Sequence, residues 1–350
     1  METDVVENPE ITYVTWSVGS EAMRVPVLDV TNRNFAVEDT EASRAALNAA
    51  YLDEEQRQSS RPRWVTDLML KAGARQSRFV HRLVYPSASY FDGLTTYLCK
   101  LGPNNLPPGF NTKLDQKVAA TPHVLSIRLR LQHCVHLLAD ALIAPLQQVP
   151  ARPLHLFNIA GGTAIDSLNA LIVLRQRAPE LLDRPIRIFV MDIDEVAPAF
   201  GALATSALSR RGHPLSGLDL EFLYQAYDWN DARPLAFKIT QSKKEEAIVA
   251  LSTEGGLFEY GTDDAIVSNF MAMTGDGSAA PLVVGSVTSA DSIRRASIQR
   301  QNFTLYPRTM EEFDKLARQA KFATTKVRNT PLSYQVLLER ADAVSPPMVE

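Results

Sequence analysis

"LHLFNIAGGTAIDSL", residues Leu154 to Leu168, decides the fold. A short, mostly apolar run leads into Gly161 and Gly162, and a helical pattern begins at once. An apolar run that ends on glycines and turns directly into a helix reads as a buried strand feeding a crossover helix. Glycine lacks Cβ, so the main chain there can take a positive φ and can be approached closely. The first N–H groups of the helix that follows have no partner within it and face the same spot.

The same alternation continues to the C-terminal side. "IRIFVMD" (Ile186 to Asp192) reads as a second strand and "EVAPAFGALATSAL" as a helix with Pro198 in its first turn. "DLEFLYQAYD" reaches the polar Asp228, "EAIVALS" is a fourth strand, "DDAIVSNFMAM" a helix and "PLVVGSV" a fifth strand. "TMEEFDKLARQA" is a helix with Phe313, Leu316, Ala317 and Ala320 on one face. "ATTKVRN" and "LSYQVLLER" are too close together for a crossover and predict an antiparallel hairpin. The expected fold is α/β: a Rossmann-like, doubly wound, mainly parallel sheet with a reversed C-terminal strand.

Toward the N-terminus the pattern differs. "ITYVTWSVGSEAMRVPVLDV" predicts two short strands joined at Gly19-Ser20, and helices follow over "EDTEASRAALNAAYLDEEQRQ" and from Trp64 to Ala74. "LGPNNLPPGFN" is a loop. Thr121 as cap and Pro122 at the first position open a long helix to about Ala144. We therefore expect a mostly helical N-terminal region over residues 1–120, acting as a substrate lid or a homodimer contact, and a ligand-binding domain over 121–350.

Composition excludes several classes. The chain has 350 residues and a net charge of −4, so there is no basic field for nucleic acid. Cys99 and Cys134 make neither a disulfide framework nor a zinc site. The acidic N-terminus is no signal peptide and no run reaches a membrane span, so a cytoplasmic protein is expected. His133, His136 and Asp140 share a helix face, but His133 and Asp140 stand about 10 Å apart along it, too far for one metal ion. No metal is expected. No G-x-S-x-G elbow is present.

In open α/β sheets a ligand binds beyond the carboxyl ends of the strands, where strand order reverses. Gly161 and Gly162 should lie there. Asp192 ends the second strand, where a carboxylate can accept ribose hydroxyls, while Asp194 is better placed to cap the next helix. Asp228 with Trp229 suits an adenine: a hydrogen-bond acceptor for the amine beside a flat ring.

On these residues the segment from about Thr121 to Arg340 resembles the class I S-adenosylmethionine-dependent methyltransferases of the small-molecule type. Their D-x-G-x-G-x-G loop corresponds to Asn158-Ile-Ala160-Gly161-Gly162-Thr163-Ala164, with the acid replaced by Asn158 and the outer glycines by Ala160 and Ala164. The resemblance implies S-adenosyl-L-methionine as cofactor. It implies Asn158 at the methionine amino group, Gly161 and Gly162 against the methionine and ribose portion, Asp192 on the ribose, Asp228 and Trp229 at the adenine, and Ala160, Thr163, Ile193 and Ser252 among the cofactor-binding residues. "ALSTEGGLFEYG" (Ala250 to Gly261) is similar to the E-G-x-x-x-Y run of O-methyltransferases, with one extra residue before Tyr260. It marks Glu254 as the candidate base or orienting group and Tyr260 as the second, with Gly255 and Gly256 letting the loop pass close to a substrate. On the preceding helix Arg128, or Arg130, is the candidate for the methionine carboxylate, and Tyr85 and Tyr90 are candidate lid residues. The expected reaction is methyl transfer to a small molecule, O before N or C. The alternatives are an inactive binding protein of the same fold, or a nicotinamide-dependent oxidoreductase, whose fingerprint would need a small residue at Ile165.

Overall fold

The computed structural model describes residues 8–18, 21–86, 92–274, 281–298 and 304–341. Strands β1 (Tyr13–Val18) and β2 (Glu21–Pro26) form an antiparallel pair. The other seven make one sheet: β3 (Leu154–Ile159), β4 (Ile186–Asp192), β5 (Leu220–Ala226), β6 (Ile248–Thr253), β7 (Leu282–Thr288), β8 (Phe322–Asn329) and β9 (Ser333–Arg340). Their order is β5-β4-β3-β6-β7-β9-β8. From β5 to β7 every pairing is parallel, and β9 runs antiparallel to both its neighbours. The fold is the mainly parallel, doubly wound sheet with one reversed strand near its end.

Both faces are covered, as a parallel sheet requires. Successive side chains on a strand point to opposite faces. Leu154 and Leu156 of β3 therefore join the core beneath helices Pro122–Gln148, Ile165–Arg177 and Val196–Leu208, with Phe200 in its midst. Phe157 and Ile159 join a second core against helices Arg233–Lys244, Asp263–Thr274 and Met310–Gln319. β3 and β6 are adjacent, while β4 and β5 lie to one side and β7 to the other. The reversal of strand order thus falls between the carboxyl ends of β3 and β6.

The helix capped by Thr121 runs past its expected end to Gln148, with Pro145 inside it. Proline removes one backbone donor, and Leu142 and Leu146, both fully buried, carry the packing across that gap. The N-terminal region is packed on the same core. Trp16 and Tyr97 place their rings 4.6 and 4.5 Å from Phe200. The Tyr97 hydroxyl donates to the Pro26 carbonyl at 2.8 Å and accepts from Leu28 N–H at 2.9 Å. Asn169, buried on its helix, accepts from Val30 N–H and donates to the Leu28 carbonyl. Helix Gly93–Leu101 is thereby held over the carboxyl ends of the strands. It is built from "GLTTYLCKL", an apolar helix with a single charged residue, Lys100.

Candidate functional site

The strand–helix junction is strained in a regular way. Ala160, Gly162 and Ala164 have φ of 52°, 56° and 49°, so alternate residues of the loop are left-handed, and two of the three carry a Cβ. Such a conformation costs an alanine about 1–2 kcal/mol and persists only where surrounding contacts enforce it. The enforcing contacts are visible. Ala160 N–H donates to the Met191 carbonyl at 2.8 Å, and Gly162 N–H donates to Asp192 Oδ2 at 2.8 Å.

The two glycines have internal reasons to be glycines. A Cβ on Gly161 would stand 1.9 Å from Asn158 Oδ1, and one on Gly162 would stand 3.0 Å from Ala197 Cβ. Close approach is indeed required there, but the groups approaching are Asn158 and Ala197. Across the crevice the second glycine pair behaves alike. Gly255 has φ +73° and a Cβ there would meet Arg130 Nη2 at 2.6 Å, while one on Gly256 would meet the carbonyls of Ile159 and Ala160 at 2.8 and 2.9 Å. The loop after β6 is thus pressed against the loop after β3.

Between these loops lies a cavity of about 240 Å³. Of the residues expected at a site, Ala160, Gly161, Gly162, Thr163, Asp192, Ile193, Asp228, Trp229, Glu254 and Tyr260 line it. Asn158 and Ser252 lie behind its wall, with Asn158 Nδ2 donating to Ser252 Oγ at 3.0 Å. Asp192 is buried, its two oxygens accepting from Gly162 N–H and Asp194 N–H, and burial raises its carboxyl above the usual range. Asp194 accepts from Val196 N–H at the head of its helix. Asp228 is exposed and turns back on Asn230, whereas Trp229 is half-buried against the second core.

Two expectations need correction. Arg128 is not at the cavity. Its guanidinium donates to the Phe35 carbonyl at 2.9 Å and fills the space beside Gly102. Arg130 takes the inward direction instead, donating through Nε to Glu254 Oε1 at 2.5 Å and through Nη1 to both oxygens of Glu259 at 3.0 Å. Glu254 is also paired with Lys100, Nζ to Oε2 at 2.5 Å, with both side chains almost wholly buried. Burial alone would raise the Glu254 carboxyl, but Arg130 and Lys100 outweigh it and hold it below the usual range. A carboxylate stabilised in this way is a weak base. The Tyr260 phenol is pushed the other way, by burial and by Glu259, so it stays protonated.

The sequence did not single out Thr96, Tyr97 and Lys100, which the N-terminal helix brings to the cavity, nor Tyr227, which follows β5. Lys100 had a signal: a lone cation on an otherwise apolar helix must find a buried partner. Tyr85 is half exposed, sets its ring at a tilt of 50° to His81 and does not line the cavity, and Tyr90 lies outside the described residues. His133 bonds to Gln335 and Asp39, and His136 and Asp140 both contact Arg177. Among the described residues no helix is long and apolar enough to cross a membrane.

No protein-family model matches the chain, and no curated protein matches it. Among solved structures it is similar to a possible exported protein from Bordetella parapertussis, at 14% identity over 87% of this chain and 97% of that one, with a TM-score of 0.53. Two others are an O-methyltransferase family protein from Burkholderia thailandensis (14% identity, 66% and 61% of the two chains, TM-score 0.40) and an O-methyltransferase family 2 protein from Planctomyces limnophilus in complex with apigenin (12%, 67% and 72%, TM-score 0.37). The likeness to the first spans nearly all of both chains and is one of fold.

Proposed function

We propose that this chain is an S-adenosyl-L-methionine-dependent methyltransferase acting on a small molecule, with oxygen as the favoured acceptor atom. One observation carries the reading. The left-handed loop after β3, Asp192 at the end of β4, Asp228 and Trp229 after β5, and Glu254 after β6 all border one cavity at the reversal of strand order. That is the arrangement a nucleoside with a charged tail requires: a carboxylate for vicinal hydroxyls, a ring for the base, and backbone and buried acceptors for the tail.

The residues present fit the cofactor. Asp192 accepts from backbone N–H groups on both oxygens and lines the cavity, where it can also accept from a ribose hydroxyl. Ile193, 62% exposed at the rim, and Trp229 offer apolar surface for the adenine, with Asp228 at its edge. Asn158 Oδ1 is buried without a partner beneath Gly161, an acceptor awaiting a donor. When bound, S-adenosylmethionine supplies an electrophilic methyl group already attached to a good leaving group.

The protein's own tasks are then alignment and exclusion of water. Helix Gly93–Leu101 covers the cavity with Thr96, Tyr97 and Lys100. Glu254 fixes Lys100 and Arg130 rather than removing a proton, and Tyr260 presents a protonated phenol to the acceptor. Activation of the acceptor therefore rests on position, which suits a group already acidic, such as a phenol or a carboxylic acid. Turnover of methyl-labelled cofactor with a panel of such acceptors tests the activity. Label transfer to none of them, by protein that binds the cofactor, would favour a binding protein of the same fold.

Asp192→Asn should weaken the full cofactor and adenosine alike, since both carry the ribose. The loss of a charge-assisted bond is worth about 1.5–3 kcal/mol, or roughly ten- to a hundredfold in affinity. Because burial raises the Asp192 carboxyl, adenosine affinity of the wild type should begin to fall, as the pH drops, sooner than for an ordinary aspartate. Calorimetric titration checks both. A loss confined to methionine-bearing ligands would remove Asp192 from the ribose.

A further inference from the structure

The helix over the cavity carries a cation that the protein does not use up. Helix Gly93–Leu101 turns Gly93, Thr96, Tyr97 and Lys100 to the cavity, the three-and-four spacing of one helix face. It crosses the cavity from side to side. At its start a Cβ on Gly93 would stand 2.1 Å from Ala197 Cβ and 3.1 Å from Asp194 Oδ2, so the helix rests there on the segment after β4. At its far end Lys100 Nζ meets Glu254 Oε2, in the loop after β6. Seven residues of helix set these two contacts about 10 Å apart. The residues suited to a nucleoside, Asp192, Asp228 and Trp229, follow β4 and β5, on the side where the helix starts. Lys100 stands on the other side.

The ion cluster ends at Lys100. From Glu259 through Arg130 and Glu254 to Lys100 the charges alternate in sign. Arg130 touches two carboxylates, and the two oxygens of Glu254 are taken by Arg130 and Lys100. Lys100 pairs with Glu254 and, among the described residues, with no second anion. An ammonium has three N–H donors, and unspent donors are costly when buried. With 3% of Lys100 exposed, its remaining donors depend on what enters the cavity. Among the described residues that line the cavity Lys100 is the one cation, against Asp192, Asp194, Asp228 and Glu254. An anion entering is therefore repelled except beside Lys100, which fixes where it can settle. One turn earlier on the same face, Thr96 adds a hydroxyl. An ammonium and a hydroxyl side by side suit a group that spreads one negative charge over two oxygens.

We infer that Lys100, with Thr96 beside it, is the docking site for a carboxylate carried by the methyl acceptor, so that the substrate is an anionic small molecule held on the β6 side of the cavity. That site rests on the methyltransferase reading above and names its substrate class. The carboxylate takes the next place in the alternating chain of charges, and Glu254 holds the ammonium in position for it.

Calorimetry on protein saturated with S-adenosylhomocysteine tests this, with benzoate, phenylacetate and cinnamate as probes, each against its primary amide. The wild type is expected to bind at least one carboxylate about tenfold or more tighter than its amide. Lys100→Met keeps most of the volume and removes the charge. It should bring that ratio to about one, and Lys100→Arg should keep most of the preference. Thr96→Val leaves every member of the ion cluster in place and should lower the ratio about threefold or more, which decides the matter should Lys100→Met fold poorly. A wild type indifferent to carboxylate or amide throughout the panel, a preference that survives Lys100→Met, or an unchanged ratio in Thr96→Val would each overturn the inference. The cofactor's own carboxylate is the other anion that could reach Lys100, and methylthioadenosine lacks it. If Lys100→Met loses affinity for S-adenosylhomocysteine and keeps it for methylthioadenosine, the ammonium belongs to the cofactor and the acceptor site is refuted. A wild type that binds S-adenosylhomocysteine without telling carboxylate from amide loses this site alone. One that ignores S-adenosylhomocysteine, yet prefers carboxylates through Lys100 when ligand-free, loses the methyltransferase reading and keeps the anion site.

Discussion

Arg130→Met should lower the folding stability by about 3–5 kcal/mol, the range for removing one partner of a buried ion pair. Arg130 stands between two buried carboxylates, bonded to Glu254 through Nε and to Glu259 through Nη1. Without it, Glu254 keeps only Lys100, and two negative charges face each other across a space filled by a thioether. Methionine restores most of the volume, so the loss reports charge rather than a cavity. The pH dependence gives the sign. In the wild type, Arg130 and Lys100 overcome burial and hold the Glu254 carboxyl below its unfolded value. That contribution is present above the unfolded value and is lost as the pH falls through the folded one. In the variant, burial regains the upper hand, and protonating Glu254 then relieves the folded state. The stability gap between wild type and variant should therefore narrow from neutral toward acid pH. Urea unfolding at both ends of that range checks it. A gap below about 1 kcal/mol at neutral pH, or one that stays constant with pH, would show that the cluster is not held together by these charges.

What the sequence could disclose follows from the range of each interaction. The junction at Gly161 and Gly162, the strand ends at Asp192 and Asp228, and the final hairpin are local. Period, punctuation and spacing carry them, and with them the mainly parallel sheet and its reversed strand, though not the order of the strands. The ion cluster is not local. Arg128 and Arg130 are two positions apart on one helix and point in different directions. Which of them faces inward is decided by distant segments, the Phe35 carbonyl for one and the loop after β6 for the other. Glu254 was legible as a residue at the rim of the crevice, yet its chemistry depends on Lys100, which arrives from the N-terminal region. A carboxylate read without its counter-charges looks like a base.

The glycines that open the junction allow the largest test of packing. Gly161→Ala should cost about 2–6 kcal/mol of stability. That estimate combines overpacking of a tight core, about 1–3 kcal/mol, with the loss of buried hydrogen bonds, about 1–3 kcal/mol. A Cβ at residue 161 would lie 1.9 Å from Asn158 Oδ1 and 2.6 Å from Asn158 Cγ, so the amide must leave its place. Leaving, it gives up its bonds to Asp166 and Ser252, and the Asp166 carboxylate, fully buried, loses a donor it cannot replace from solvent. If instead Gly161 were glycine only to admit a ligand, alanine would weaken cofactor binding and leave the empty protein as stable as before. A double-mutant cycle separates the two. Asn158→Ala removes the atoms that the new Cβ would strike, so in that background Gly161→Ala should cost well under half of what it costs in the wild type, a coupling of about 1–3 kcal/mol. Thermal or urea unfolding of the four ligand-free proteins reads it. Additive losses would mean that the side chain of Asn158 does not fix the loop. The backbone of the junction would then owe its glycine to what binds over it.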